Sequence, residues 1–163
     1  MIKKQIVLAG GCFWGLENLI RQQPGVLDTE VGYTGGTTEN PTYENHLDHA
    51  EAVQITFDAD KTDFKHLLDF FFQVHDPTTL NRQGNDVGTS YRSTIFFANE
   101  EEKRIGQEMI DIVNKSGRWK SPVVTTLEPL TEFYPAEAYH QDYLIKNPDG
   151  YTCHVLRGGS YLK

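Results

Sequence analysis

Two cysteines stand in this chain, and one of them, Cys12, sits in the stretch GGCFWGLE between a glycine pair and two adjacent aromatic rings. A thiol attacks as its thiolate, and the first turn of a helix favours that anion through unpaired backbone N–H groups and the helix dipole. The run Gln5-Ile6-Val7-Leu8-Ala9 reads as a short buried strand, and apolar residues from Trp14 to Arg21 recur at helical spacing. Cys12 therefore falls at a strand-to-helix turn, where two glycines let the backbone bend sharply, as at a nucleophile elbow. An isolated free cysteine is more often a buried structural residue. Phe13 and Trp14 favour the chemical reading, because two rings beside a nucleophile can wall an apolar pocket.

Other groups with chemical capacity lie further along. Glu51 stands at the mouth of an alternating strand, where partial desolvation would raise its pKa and let it donate a proton; a solvated surface carboxylate is the plainer reading. Tyr43, in a Gly-rich loop, and Tyr91, at the end of NRQGNDVGTSY, each carry a phenol that can donate a hydrogen bond or simply pack. His46 and His49, with Asp48 and Glu51, form a weak metal-ligand pattern, but the helix that a zinc motif of this spacing requires is not indicated, and no metal is expected.

These groups must be held by a scaffold. Val26 to Tyr33 reads as a second strand; Ala52 to Asp58 alternates, with Val53, Ile55 and Phe57 on one face. Asp63 caps a helix with Phe64, Leu67, Leu68 and Phe71 on its apolar stripe, ending near His75. A loop from Pro77 to about Ser90 precedes a strand at Ser93 to Ala98. Asn99 caps a further helix, with Ile105, Met109, Ile112 and Val113 inward, and Val123 to Leu127 reads as the last clear strand. A short helix is expected around Ala136 to Ile145. The order predicts an α+β fold: a ferredoxin-like split βαβ core, a mixed sheet with helices packed on it, and an irregular C-terminal tail. A single domain is expected over 1–163, with an α/β core over 1–127 and a largely irregular extension over 128–163.

Composition narrows the class. With 38% hydrophobic and 23% charged residues, the chain reads as an ordinary soluble globular protein. A net charge of −8 offers no footprint for nucleic acid or an acidic membrane. The N-terminal apolar run is too short for a secretory signal, so the expected compartment is the cytoplasm. Two sparse cysteines do not make a disulfide framework.

Taken together, GCFWGLE, GYTGGTTENPTY (32–43), HAEAV (49–53), NRQGNDVGTSYRS (81–93) and AEAYHQDYLIKNP (136–148) resemble, in order, the motifs of the A-type peptide methionine sulfoxide reductases. The resemblance implies that Cys12 attacks the sulfoxide sulfur, Phe13 and Trp14 hold the S-methyl group, and Glu51 protonates the oxygen. Tyr43 and Tyr91 would donate hydrogen bonds to that oxygen, and Asp86 would order the pocket. It implies selectivity for the S epimer, with a sulfenic acid left on Cys12. Cys153 would condense with it to a disulfide that thioredoxin reduces, with no cofactor required. Two departures from the family pattern stand out: a short Tyr43–Glu51 stretch with Asp48 where glycine is common, and a single tail cysteine, which favours one resolving step over a relay. Two rival readings are a non-enzymatic redox sensor at Cys12 and a Cys–His acyl-transfer enzyme using His49, His75 or His140.

Overall fold

The computed structural model describes residues 2–152 and 154–162. Strand β1 (Lys3–Gly10) runs into helix α1 (Phe13–Ile20), which returns the chain to strand β2 (Val26–Thr34). A long loop leads to strand β3 (Ala50–Asp58), which lies antiparallel between β1 and β2. Helix α2 (Phe64–Val74) follows, then a small hairpin of β4 (Arg82–Gln83) and β5 (Asp86–Val87), then strand β6 (Ser93–Phe97), antiparallel to β1. The inner order β6-β1-β3-β2 is that of the split βαβ core expected from the sequence. Helix α3 (Glu100–Lys115) precedes β7 (Thr126–Pro129), parallel to β6, and β8 (Tyr134–Pro135) pairs with β2 at the opposite edge. The main sheet is therefore mixed and six-stranded. No helix among the described residues is long and apolar enough to cross a membrane.

The period-two pattern of β3 turns Val53, Ile55 and Phe57 toward the helices, where they join Ile6, Leu8, Val31 and Ile95 from neighbouring strands. Leu16 and Ile20 of α1, Leu68, Phe71 and Phe72 of α2, and Met109 and Val113 of α3 close over them. Each large apolar side chain removed from water contributes about 1.5–3 kcal/mol, so this layer is what fixes α1 and β3 against each other. On the other face Val7, Ala9, Ala50, Ala52 and Phe96 pack with Leu130. Both helix caps expected from the sequence form: Asp63 accepts from the His66 N–H and Asn99 from the Glu102 N–H.

Three local expectations differ from the structure. The strand expected at Val123 to Leu127 is Thr126–Pro129, and the short β8 follows it. Val123 and Val124 spend their N–H groups on Asn114 Oδ1 and the Pro77 carbonyl, outside any ladder. The helix expected around Ala136 to Ile145 is two pieces, a 3₁₀ turn (Ala138–His140) and helix α4 (Tyr143–Lys146). Asp142, with φ 53°, separates them, since a residue in the left-handed region cannot continue a helix. The inward stripe of α3 is Gly106, Met109, Ile110 and Val113, leaving Ile105 and Ile112 at its margins.

Candidate active site

The strand-to-helix turn is where the sequence places it. Gly11 has φ 95°, a conformation open to glycine, and Cys12 is the N-cap of α1. Gly10 is needed for space, because a Cβ there would lie 2.8 Å from the Phe71 ring. Two buried histidines brace the turn from behind. His75 bonds the Phe71 carbonyl (2.7 Å) and Ser93 Oγ (2.8 Å), and His154 Nε2 lies 2.6 Å from the Gly10 carbonyl. Burial lowers both pKa values, to about 3 and about 4, so both rings are neutral and His154 donates Nε2–H to Gly10.

Cys12 is 7% exposed. The helix-start amides of Trp14 and Gly15 pull its pKa down, as the sequence reading expects, but they lose. Burial above all, then the charges of Glu51 and Asp86, push the thiol well above its ordinary range. The helix start thus favours the anion as expected, but burial outweighs it and the turn presents a protonated sulfur.

Glu51 shares the helix-facing side of β3 with Val53, Ile55 and Phe57, opposite Tyr33 of β2, and is 1% exposed. Its place in phase with that apolar series is the sequence signal for burial, and it overrides the reading of a surface carboxylate. Oε1 accepts the Phe13 N–H at 3.2 Å, which ties the acid to the residue following Cys12. Oε2 is buried with no hydrogen-bond partner among the described residues. Desolvation raises the carboxyl from 4.5 to about 8, against the opposing Phe13 amide and with help from the Asp86 charge.

Aromatic rings surround this pair. Trp14 stacks on Tyr143 with centroids 3.8 Å apart and an interplanar angle of 9°. On Trp14's other neighbours, Tyr43 lies nearly parallel at 6.4 Å, and His140 Nδ1 accepts the indole N–H at 2.9 Å. That bond fixes the proton of the neutral His140 on Nε2, which is buried without a partner among the described residues. Phe13 is fully buried against Tyr33 and His140. Tyr43 is 37% exposed, and Glu137 holds its backbone N–H (3.0 Å) while also accepting Tyr33 Oη (2.9 Å). Tyr91 ends the turn Thr89–Tyr91 and is half-buried. Burial first, then the charge of Glu51, raises both the Tyr43 and the Tyr91 phenols, so each stays a hydrogen-bond donor. Asp86, in the β4–β5 hairpin, accepts Tyr151 Oη at 3.1 Å. Cys153 lies outside the described residues.

The structure thus gathers Cys12, Phe13, Trp14, Tyr43, Glu51, Tyr91 and Asp86, with the Glu51 charge acting on Cys12, Tyr43 and Tyr91 and the Asp86 charge acting on Glu51. Sequence reasoning missed Tyr143 as the stacking partner of Trp14, and weighed His140 only as a base. Both are carried by AEAYHQDYLIKNP, but nothing in their spacing says that they meet α1. The residues of the weak metal-ligand pattern hold the loop. His46 bonds the Thr42 and Tyr43 carbonyls and Ser90 Oγ, His49 accepts from the Gly36 N–H, and Asp48 accepts from Thr37 N and Oγ1. Among the described residues no three His, Cys, Asp or Glu side chains converge on a metal position. His49 and His75 use their ring nitrogens in these structural bonds, which argues against an acyl-transfer base there.

An α+β core that delivers a buried thiol, a buried acid and an aromatic box to one point defines a cysteine-based enzyme. Residues 4–160 match the family described as peptide methionine sulfoxide reductase. The chain is 59% identical over 156 residues to the peptide methionine sulfoxide reductase MsrA of Mycolicibacterium vanbaalenii, covering 96% of this chain and 92% of that one. The reduced form of Mxr1 from Saccharomyces cerevisiae superposes with a TM-score of 0.84 at 38% identity, covering 96% of this chain and 93% of the other. Mxr1 in complex with Trx2 superposes with a TM-score of 0.61 at 29% identity, covering 96% and 91%. The chain belongs to the peptide methionine sulfoxide reductase family and is an oxidoreductase that reduces methionine sulfoxide.

Proposed function

We propose that the chain acts as one catalytic domain in the cytoplasm and reduces methionine-S-sulfoxide, in proteins and as the free amino acid. The observation that carries this reading is Glu51: a buried acid with one oxygen fixed by the residue after Cys12 and the other without a partner among the described residues. Cys12 Sγ attacks the sulfoxide sulfur while Glu51 protonates its oxygen, with the Tyr43 and Tyr91 phenols donating hydrogen bonds to that oxygen. Phe13 and the Trp14 face hold the S-methyl group, and Asp86 orders the pocket through Tyr151. The oxygen ends on the Cys12 sulfur as a sulfenic acid, so the sulfoxide is reduced to the thioether and the thiol is oxidised. The resting thiol proton replaces the one that Glu51 gives up.

Cys153 then displaces water from the sulfenic acid to form a Cys12–Cys153 disulfide, and a thioredoxin reduces it by thiol–disulfide exchange. The complex of Mxr1 with Trx2 supports that choice of reductant. The test is a pair of substitutions assayed for methionine release from a sulfoxide peptide. Cys12→Ser should release none. Cys153→Ser should form about one methionine per enzyme without reductant, cycle with small thiols and not with thioredoxin. Equal cycling of parent and Cys153→Ser with thioredoxin removes Cys153 from the mechanism.

A further inference from the structure

Glu17 is the last residue of GCFWGLE, three positions after Trp14 on α1, and it is fully buried. A buried carboxylate in a helix of eight residues is costly unless both oxygens find donors, and here they do. Oε2 accepts Thr29 Oγ1–H at 2.9 Å, and Oε1 accepts the Asp142 backbone N–H at 3.0 Å. Arg21, one turn on, lies 3.9 Å from Glu17 and 3.6 Å from the Asp142 carboxylate.

The second bond reaches across the molecule. Asp142 is the left-handed residue that breaks the C-terminal segment between His140 and Tyr143. Those two residues are the indole's partners: His140 takes the Trp14 N–H and Tyr143 stacks on the ring at 3.8 Å. Gln141, between them, pairs with β2 through the Val31 N–H and carbonyl, both at 2.9 Å. Gln141 thus fixes the segment to the sheet, and Glu17 fixes it to the helix that carries Trp14.

We infer that Glu17 is a positioning residue for the substrate pocket, holding the 140–143 segment so that His140 and Tyr143 set the orientation of the Trp14 ring. The consequence for affinity rests on the methyl-pocket role of Trp14 proposed above. Losing Glu17 leaves the Asp142 N–H without its acceptor and lets the ring turn away, which weakens binding more than it slows the chemical step.

The experiment uses the full chain carrying Trp119→Phe, which makes Trp14 the sole indole, as the chain has two tryptophans. Glu17→Met keeps length and volume and abolishes both acceptors; Glu17→Gln keeps an acceptor for Asp142. The Met variant should raise KM for a sulfoxide peptide about tenfold, the scale of one lost hydrogen bond, with the single-turnover rate at saturation within about threefold of the parent. Its Trp14 emission should move to longer wavelength, and Glu17→Gln should restore both. An emission shift without a KM change supports the link to Trp14 and overturns the pocket reading instead. Unchanged emission overturns the inference, as does a Gln variant no better than Met. In the parent, amide exchange at Asp142 must be slow; exchange at the rate of an open loop overturns the inference without any variant.

Discussion

Glu51 on β3 and Glu17 on α1 are both carboxylates at or below 1% exposure, and burial is the leading cause of a raised pKa at each. They differ in how their oxygens are used. Glu17 has a donor for each oxygen, Thr29 on one and the Asp142 amide on the other. Among the described residues Glu51 has a donor for one oxygen only, the Phe13 amide. A buried acid that is fully paired is held as part of the scaffold, whereas one with an open oxygen keeps a proton available to whatever enters the site. Chemistry and support therefore use equally buried acids on two different elements, and their hydrogen bonds separate them.

The largest effect expected from this contrast is on rate. Glu51→Gln should slow sulfoxide reduction by roughly 10²-fold or more, the scale for losing a general acid. In the parent the acid works while protonated, so the rate should fall as pH rises through about 8; the Gln variant should lose that limb. A parent rate that is flat across this range places the proton on Tyr43 or Tyr91 instead.

A smaller effect, of opposite sign, should appear at the thiol. The Glu51 charge is second only to burial in raising Cys12. Glu51→Gln removes it, so iodoacetamide should alkylate Cys12 faster in the variant at a given alkaline pH, even though turnover is slower. Equal or slower alkylation breaks the electrostatic link between the two residues.

Stability gives a third comparison. Glu51 has a folded pKa above its unfolded value, so the native state holds the extra proton between 4.5 and about 8. The stability that this proton supplies is complete below the lower value and is lost as pH rises through the upper one. The parent should accordingly melt at lower temperature at about pH 9 than at about pH 5, and Glu51→Gln should flatten that difference, a gain on the order of a few kcal/mol at high pH. Identical pH dependence in parent and variant would show that Glu51 is not desolvated.

The smallest effect is expected at the paired acid. Glu17→Gln keeps an acceptor for Asp142 and can donate to Thr29, so activity should stay within about twofold and the alkaline stability gain should be below that of Glu51→Gln. A loss of rate comparable to that of Glu51→Gln would erase the distinction between a satisfied and an open buried acid.

Much of this was legible in the sequence because it is local. The caps Asp63 and Asn99, the alternation in β3, the glycine turn and the position of Cys12 depend on neighbouring residues, and each forms as expected. The βαββαβ order followed from those elements. The boundaries of β7 and the break at Asp142 were not legible, because distant partners set them: Pro77 and Asn114 draw Val124 and Val123 out of the ladder, and Glu17 and Val31 hold the segment around Asp142.

The same division applies to the site. Sequence by itself determined which residue types are present and, through ordered motifs, which reaction they suit. Tertiary structure decided their states. It sets Glu51 on the core face, with one oxygen unpaired among the described residues, and makes Cys12 a protonated thiol despite its helix-start position. It also joins Trp14 to His140 and Tyr143 across more than a hundred residues of chain. The physical reason is that desolvation and charge act through space. A residue's burial and its neighbours' charges are sums over the folded surroundings, and neither can be read from the few positions on either side of it.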